Sequence, residues 1–305
     1  MPEIVARGHR VHYQRVGHGA QTVVMIHGML IDNLSSLYYT TAPAASDHMD
    51  VLLYDLRGHG RSARPPTGYG VDDAVDDLVA VLDTLGIDQP VHLLGNSYGG
   101  TIGLAMADRH PERVAGLVLI EAHFSVEGWG ESLAHDLELA GFGLDHDDMQ
   151  RYLGAQGGRK LNRLAKQALS LIGETSLIDD LRAARALQPE QLRGITCPTM
   201  AVYGEHSDVI DRAHDLDALV PCCEMNILVD CSHSALLEAT ATVRELVRDW
   251  FTRICAGEAI VGRSRKLAVR EGEGEGAEHR STVEMYKAML NRRQREEAGG
   301  NSQHG

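Results

Sequence analysis

Residues 92–101 read "HLLGNSYGGT", an apolar run that stops at a serine set among glycines. Gly95 and Gly99 stand two positions either side of Ser97, and Gly100 follows directly. The run before the serine has the character of a short buried strand. The segment after it, "GGTIGLAMADRHPERV" (99–114), reads as a helix that Pro111 brings to an end. A small polar residue at such a junction either fills a tight turn or is held up on a strained elbow. In a sharp strand-to-helix turn the neighbours two positions away must lack a Cβ, so the spacing favours the elbow.

Working outward, the same grammar recurs. "TVVMIHG" (22–28), "VLLYDLRGHG" (51–60), "VAGLVLIEA" (114–122), "PTMAVYG" (198–204) and "EMNILVD" (224–230) are short runs, apolar at successive positions, that end in turn residues. Strands buried on both faces belong to a parallel sheet covered by helices on each side. "IVARGHRVHYQRVG" (4–17) alternates and turns like an antiparallel hairpin. Helical segments lie between the runs. "VDDAVDDLVAVLDTLG" (71–86) carries Val75, Leu78, Val79, Leu82 and Leu85 on one stripe with Gly86 as its C-cap, and "SALLEATATVRELVRDWF" (234–251) closes the series. Strand–helix alternation with right-handed crossovers gives an α/β, doubly wound, mostly parallel sheet with helices on both faces.

Two regions break the rhythm. Residues 124–194 contain no obvious strand, and "WGESLAHDLELA", "DHDDMQRYLGAQ", "RKLNRLAKQALSLIG" and "SLIDDLRAARAL" all read as amphipathic helices. An insertion of this size is more than a loop and is expected to form an all-helical cap. The core then comprises residues 1–123 and 195–256. From 257 to 305 the chain is nearly neutral, and "REGEGEGAEHR" (270–280) cannot bury a core, so a flexible linker is expected there. "STVEMYKAMLNRRQREEA" (281–298) then reads as a short helix, with Ser281 and Glu284 as a capping box. Disorder is the first expectation for this tail, and an oligomerisation or docking contact is the alternative.

The whole chain has 305 residues with 43% hydrophobic and 24% charged content, as in an ordinary globular protein. A formal net charge of −14 repels phosphate backbones and anionic lipid, which argues against nucleic acid and membrane surfaces as partners. The five cysteines, Cys197, Cys222, Cys223, Cys231 and Cys255, form no C-x-x-C pair and are odd in number. Neither a zinc site nor a disulfide framework is expected, and packing in a reducing cytoplasm accounts for them. "MPEIVARGHR" has no apolar leader segment, and no run nears the length of a membrane span.

The chemistry follows from what a serine lacks. Its hydroxyl is a weak nucleophile that needs a base, and the base needs an orienting acid. "CSHSALLE" places His233 between the last strand and the closing helix, and position rather than type singles it out among 16 histidines. For the acid, "VYGEHSDVI" offers Asp208 after the strand at 198–204. Glu205 beside it and Glu121 in "LVLIEAH" are rivals, with Asp208 favoured. An anion developing on the substrate needs two backbone N–H groups aimed at one point. Tyr98 after the serine and Met29 after His27-Gly28 are the expected donors.

"HGM", "DLRGHGRS", "GNSYGG", "GEHSD" and "CSHSALLE" together resemble the α/β-hydrolase superfamily in order and spacing, over about residues 3–253. The resemblance implies an eight-stranded sheet, a Ser97–Asp208–His233 triad, a variable cap at 124–194, and no metal or organic cofactor. It also implies that Asp55, Arg57 and His59 in "DLRGHGRS" hold loops near the site. Serine at the nucleophile position argues against the aspartate-dependent dehalogenases and epoxide hydrolases of the superfamily. The implied reaction is acyl transfer from a carboxylic ester or thioester of a small to medium apolar substrate. Carbon–carbon bond hydrolysis, lactone opening, and a non-hydrolytic ligand-binding or lyase role are the alternatives. Phe124, Trp129, Leu133 and Phe142, with Leu137, Met149 and Tyr152, are candidates to line an acyl pocket. Ordinary cap packing is the plainer expectation for any one of them.

Overall fold

The computed structural model describes residues 2–145 and 158–270. Its nine strands form one sheet in the order β1-β2-β4-β3-β5-β6-β7-β8-β9. They are β1 (Glu3–Ala6), β2 (His9–Val16), β3 (Thr22–Ile26), β4 (Asp50–Tyr54), β5 (Val91–Asn96), β6 (Val114–Ile120), β7 (Thr199–Gly204), β8 (Cys223–Leu228) and β9 (Arg263–Leu267). β1 and β2 form the expected hairpin, and β2 meets β4 antiparallel; every later pairing is parallel.

The period of two along each strand sorts the core into two layers. Val24, Ile26, Leu52, Tyr54 and Leu93 point to one face, and Val23, Met25, Val51, Leu53 and Leu94 to the other. Helices α1 (Ser35–Tyr39) and α2 (Ala42–Ala45) cover the second face. They do so with the closing helix, whose Trp250 and Phe251 are fully buried. The first face carries α3 (Val71–Thr84) and α4 (Tyr98–Arg109). In α3 the stripe buries Val75, Leu78 and Leu82, and Gly86 follows the helix at φ +66°, a conformation that suits glycine at a helix end.

The stretch expected to be a cap is helical where it is described: α5 (Trp129–Asp145), α6 (Gly158–Glu174), α7 (Leu177–Arg182) and α8 (Pro189–Gly194). It is tied to the loop after β4 by bonds from the Ser176 amide to the Pro66 carbonyl (2.8 Å) and from the Tyr69 amide to Asp180 (2.8 Å). The helix read at "DHDDMQRYLGAQ", with Met149 and Tyr152, lies outside the described residues, as does the Phe142 side chain. So do the Gly/Glu stretch beyond Arg270 and the helix read at 281–298.

After α9 (Ile210–Leu219) and α10 (Ala235–Glu238), the closing helix is α11 (Thr240–Cys255). One element departs from expectation. "RSRKL" at 263–267, read as the start of a flexible linker, forms β9, a ninth strand where eight were implied. Its anchor is Glu224 on β8, only 1% exposed, which pairs with Arg253 of α11 (3.0 Å), Arg263 (3.1 Å) and Arg265 (3.2 Å). Arg265 also donates to the Asn226 side chain at 2.6 Å. Leu267 and Val269 pack on the second core layer. Among the described residues no helix is long and apolar enough to cross a membrane.

Candidate active site

The junction between β5 and α4 is the elbow that the glycines require. Ser97 sits at φ +52°, ψ −114°, outside the regions open to a relaxed side-chain-bearing residue. Its amide donates to the Ile120 carbonyl at 2.8 Å, which pins the turn to β6. A Cβ on Gly95 would lie 2.3 Å from the Gly99 carbonyl carbon, and one on Gly99 would lie 2.0 Å from the Ile26 carbonyl oxygen. The bare backbone at Gly99 is therefore what lets the first turn of α4 touch the end of β3.

The Ser97 hydroxyl lies 3.2 Å from Nε2 of His233, which stands in the loop after β8. Glu238 holds that loop by accepting from the Ser232 amide and hydroxyl, each at 2.7 Å. The other ring nitrogen, Nδ1, faces two carboxylates. Asp208 Oδ1 and Glu121 Oε2 are each 3.4 Å away, but the Asp208 side chain is 58% exposed and that of Glu121 is fully buried. Glu121 accepts from the Gly204 amide (2.5 Å) and the Ser207 hydroxyl (2.6 Å), and burial pushes its carboxyl above the usual range. Glu205 faces Lys266 instead, at 2.8 Å. Sequence order puts Asp208 within reach of the ring as expected. It gives no sign of Ser207, and it ranks Glu121 second although the fold sets that carboxylate at the same distance.

The loop after β3 is shaped by two buried imidazoles. His27 donates from Nδ1 to the Gly28 carbonyl (2.6 Å), and its Nε2 accepts from the Leu56 amide (3.0 Å). His59 donates from Nδ1 to the Arg57 carbonyl (2.8 Å) and accepts at Nε2 from the Leu30 amide (3.0 Å). Burial, assisted by His27, pushes the His59 ring down to about 3, so it keeps this one-donor, one-acceptor form. Asp55 accepts from the Leu34 and Arg61 amides, both at 2.9 Å, and Arg57 pairs with Asp77. The loop-holding assignment of Asp55, Arg57 and His59 agrees with these contacts.

With the Gly28 amide on Asp32 (2.7 Å) and the Leu30 amide on His59, the Met29 amide between them has no acceptor among the described residues. The Tyr98 amide, first in its helix, has none within the helix. Phe124 is 2% exposed under the Arg212 guanidinium, Trp129 is 8% exposed, and Leu133 is half-buried against the same core. Trp129 Nε1 lacks a hydrogen-bond partner among the described residues. Neither a cleft of about 370 Å³ between α1, the 55–61 loop and α6, nor a small apolar cavity beside Met29, Tyr69 and Tyr98, is lined by these three. Glu205, His206 and Asp230 bring metal-ligand types together at the surface, well solvated.

Comparison with known proteins adds a family. A model described as the alpha/beta hydrolase fold matches residues 21–183. A 2-hydroxymuconate semialdehyde hydrolase of Pseudomonas sp. strain CF600 is 28% identical over 267 residues, covering 81% of this chain and 92% of that one. A Caulobacter segnis protein named as a carbamate hydrolase is 42% identical over only 94 residues, so this chain spans 33% of its length. Among solved structures, Est816, described as an N-acyl homoserine lactone degrading enzyme, is 28% identical with a TM-score of 0.63. That match covers 82% of this chain and all of that one.

Proposed function

Because the chain belongs to the α/β-hydrolase fold family, we propose that it is a serine hydrolase that opens a carboxylic ester or thioester through an acyl-enzyme on Ser97. The observation that carries this reading is the Ser97 hydroxyl, raised on a left-handed backbone and 3.2 Å from His233 Nε2. In the proposed reaction Oγ attacks the carbonyl carbon as its proton passes to Nε2. The Met29 and Tyr98 amides receive the oxyanion, at the positive end of α4. The bond to the leaving oxygen or sulfur then breaks, and His233 returns the proton to that atom. Water, deprotonated by His233, releases the acyl group by the same steps in reverse order. A carboxylate on Nδ1 steadies the imidazolium throughout.

A second reading draws on the likeness to the 2-hydroxymuconate semialdehyde hydrolase over nearly the whole of both chains. The same nucleophile can attack a ketone and release a stabilised carbanion in place of an alkoxide. Lactone opening, supported by the likeness to Est816, is the ester reaction on a cyclic substrate.

The test is intact-mass analysis after treatment with a fluorophosphonate. The wild-type chain should take up one equivalent at Ser97, Ser97→Ala should take up none, and His233→Ala should react about 10³-fold more slowly or worse. A folded wild type that stays unlabelled would sink the serine-hydrolase reading. A panel of p-nitrophenyl acyl esters, acyl thioesters, homoserine lactones and vinylogous diketones then assigns the bond by kcat/KM.

A further inference from the structure

We propose that Glu121, at the end of β6, is the positioning residue that orients His233 and balances its charge, with Asp208 a subsidiary acceptor on the same nitrogen. The inference rests on the serine-hydrolase reading and names the carboxylate that serves it.

Distance does not separate the two acids, since each lies 3.4 Å from Nδ1. Their surroundings do. Asp208 is more than half exposed, so water screens its charge. Glu121 has no exposure, and both its oxygens are fixed, Oε1 by the Gly204 amide and Oε2 by the Ser207 hydroxyl. At equal separation the attraction scales inversely with the effective dielectric, so the pair with less water around it is the stronger.

The backbone points the same way. Glu121 is one of few non-glycine residues at positive φ (+49°), and its amide is tied to the Val202 carbonyl at 2.9 Å. A left-handed glutamate costs conformational energy that an ordinary strand end would not. Here it turns the side chain beneath the imidazole rather than along the sheet. Ser207 Oγ, 3.5 Å from Nδ1, closes the remaining side of this corner.

Tyr203 and His123 are titratable neighbours of this corner among the described residues. The Tyr203 hydroxyl is committed to the Ala122 carbonyl (2.8 Å), and the His123 ring stands edge-on to that of His233 at 5.1 Å. Burial raises the Glu121 carboxyl, while His233, Ser207 and Gly204 all pull it back toward the ionised form. The carboxylate is therefore best held when the imidazole beside it becomes cationic, which is the moment the reaction needs it.

The experiment is the rate of Ser97 labelling by a fluorophosphonate, measured on the full chain from pH 4 to 9. It compares wild type, Asp208→Asn, Glu121→Gln and Glu121→Asp, with thermal unfolding as a control. Glu121→Gln should slow labelling about 100-fold and move the acid-side midpoint down by about one pH unit, because an anion next to the ring has been removed. A purely structural role would not move that midpoint. Glu121→Asp should recover part of the rate, and Asp208→Asn should keep at least a tenth of it with the midpoint in place. If Glu121→Gln does not fold, the Asp208→Asn result decides, because a 100-fold loss there overturns the proposal. Equal losses in the two variants overturn it as well. A wild type that never labels would instead remove the reading on which this one stands.

Discussion

Replacing Gly100 by alanine places a Cβ 2.3 Å from the Cβ of Ala122 and 3.1 Å from its Cα, where ordinary contacts begin near 3.4 Å. Ala122 is fully buried at the end of β6 and cannot give way, so α4 must withdraw by about 1 Å. Two effects oppose each other in stability. Alanine is better than glycine within a helix by about 1 kcal/mol, and overpacking of this kind costs about 1–3 kcal/mol. The net loss should be about 0–2 kcal/mol, read from urea unfolding. The effect on chemistry should be larger, because α4 carries the Tyr98 amide and abuts Ser97. A 1 Å displacement of a reacting group costs about 100-fold in rate, read from fluorophosphonate labelling. Adding Ala122→Gly removes the obstructing methyl and should recover most of the rate, with a coupling energy of at least about 1 kcal/mol between the sites. Wild-type labelling by Gly100→Ala, or a double variant no better than the single one, would refute the claim that this contact sets the elbow.

Acid should destabilise the protein through its buried imidazoles. The folded chain keeps His59 neutral down to about pH 3, against 6.5 for the free group, so below pH 6.5 the unfolded chain binds a proton that the folded one refuses. Stability from this group is complete above pH 6.5 and is lost as pH falls toward 3, by about 3 kcal/mol at pH 4.5. His59→Gln, which retains an acceptor for the Leu30 amide, should flatten the urea midpoint between pH 7.5 and 4.5. The slope left over belongs in part to His92, lowered by burial to about 4. At the other end of the sheet, Glu224→Gln leaves Arg253, Arg263 and Arg265 without their shared anion and should cost about 2–3 kcal/mol. That is less than for a fully buried pair, because the Arg263 side chain is half exposed. A change in urea midpoint equivalent to less than about 1 kcal/mol would show that β9 is held chiefly by its ladder and apolar contacts.

What the sequence discloses here follows burial. β3, β4, β5, β6, β7 and β8 are legible because both faces are covered and the residues run apolar without interruption. Ser97 is legible because a sharp strand-to-helix turn needs glycine two residues before and after it. β9 escapes notice for the opposite reason: "RSRKL" has one aliphatic residue, and its arginines pair with Glu224, nearly forty positions away, which no local pattern discloses. The equal approach of the two acids is hidden on similar grounds. Asp208 follows a recognisable turn, whereas the equal approach of Glu121 depends on a left-handed turn at the strand end and on Ser207 from another strand's loop. Phe124 and Trp129, singled out as pocket candidates, pack into the core as aromatic residues ordinarily do.

The charged ninth strand also bears on how the sheet would meet a second copy of itself. An edge strand leaves a row of unpaired amides and carbonyls that can recruit a strand from another molecule. In this chain that row belongs to a segment with Arg263, Arg265 and Lys266 within five residues, whose cations would have to be brought against those of a second copy. The strand it shields, "CEMNIL", is almost wholly buried and would be a sticky terminus if left uncovered. Among the described residues β9 forms that edge, so a chain shortened before residue 263 is expected to precipitate more readily from concentrated solution and to be less stable.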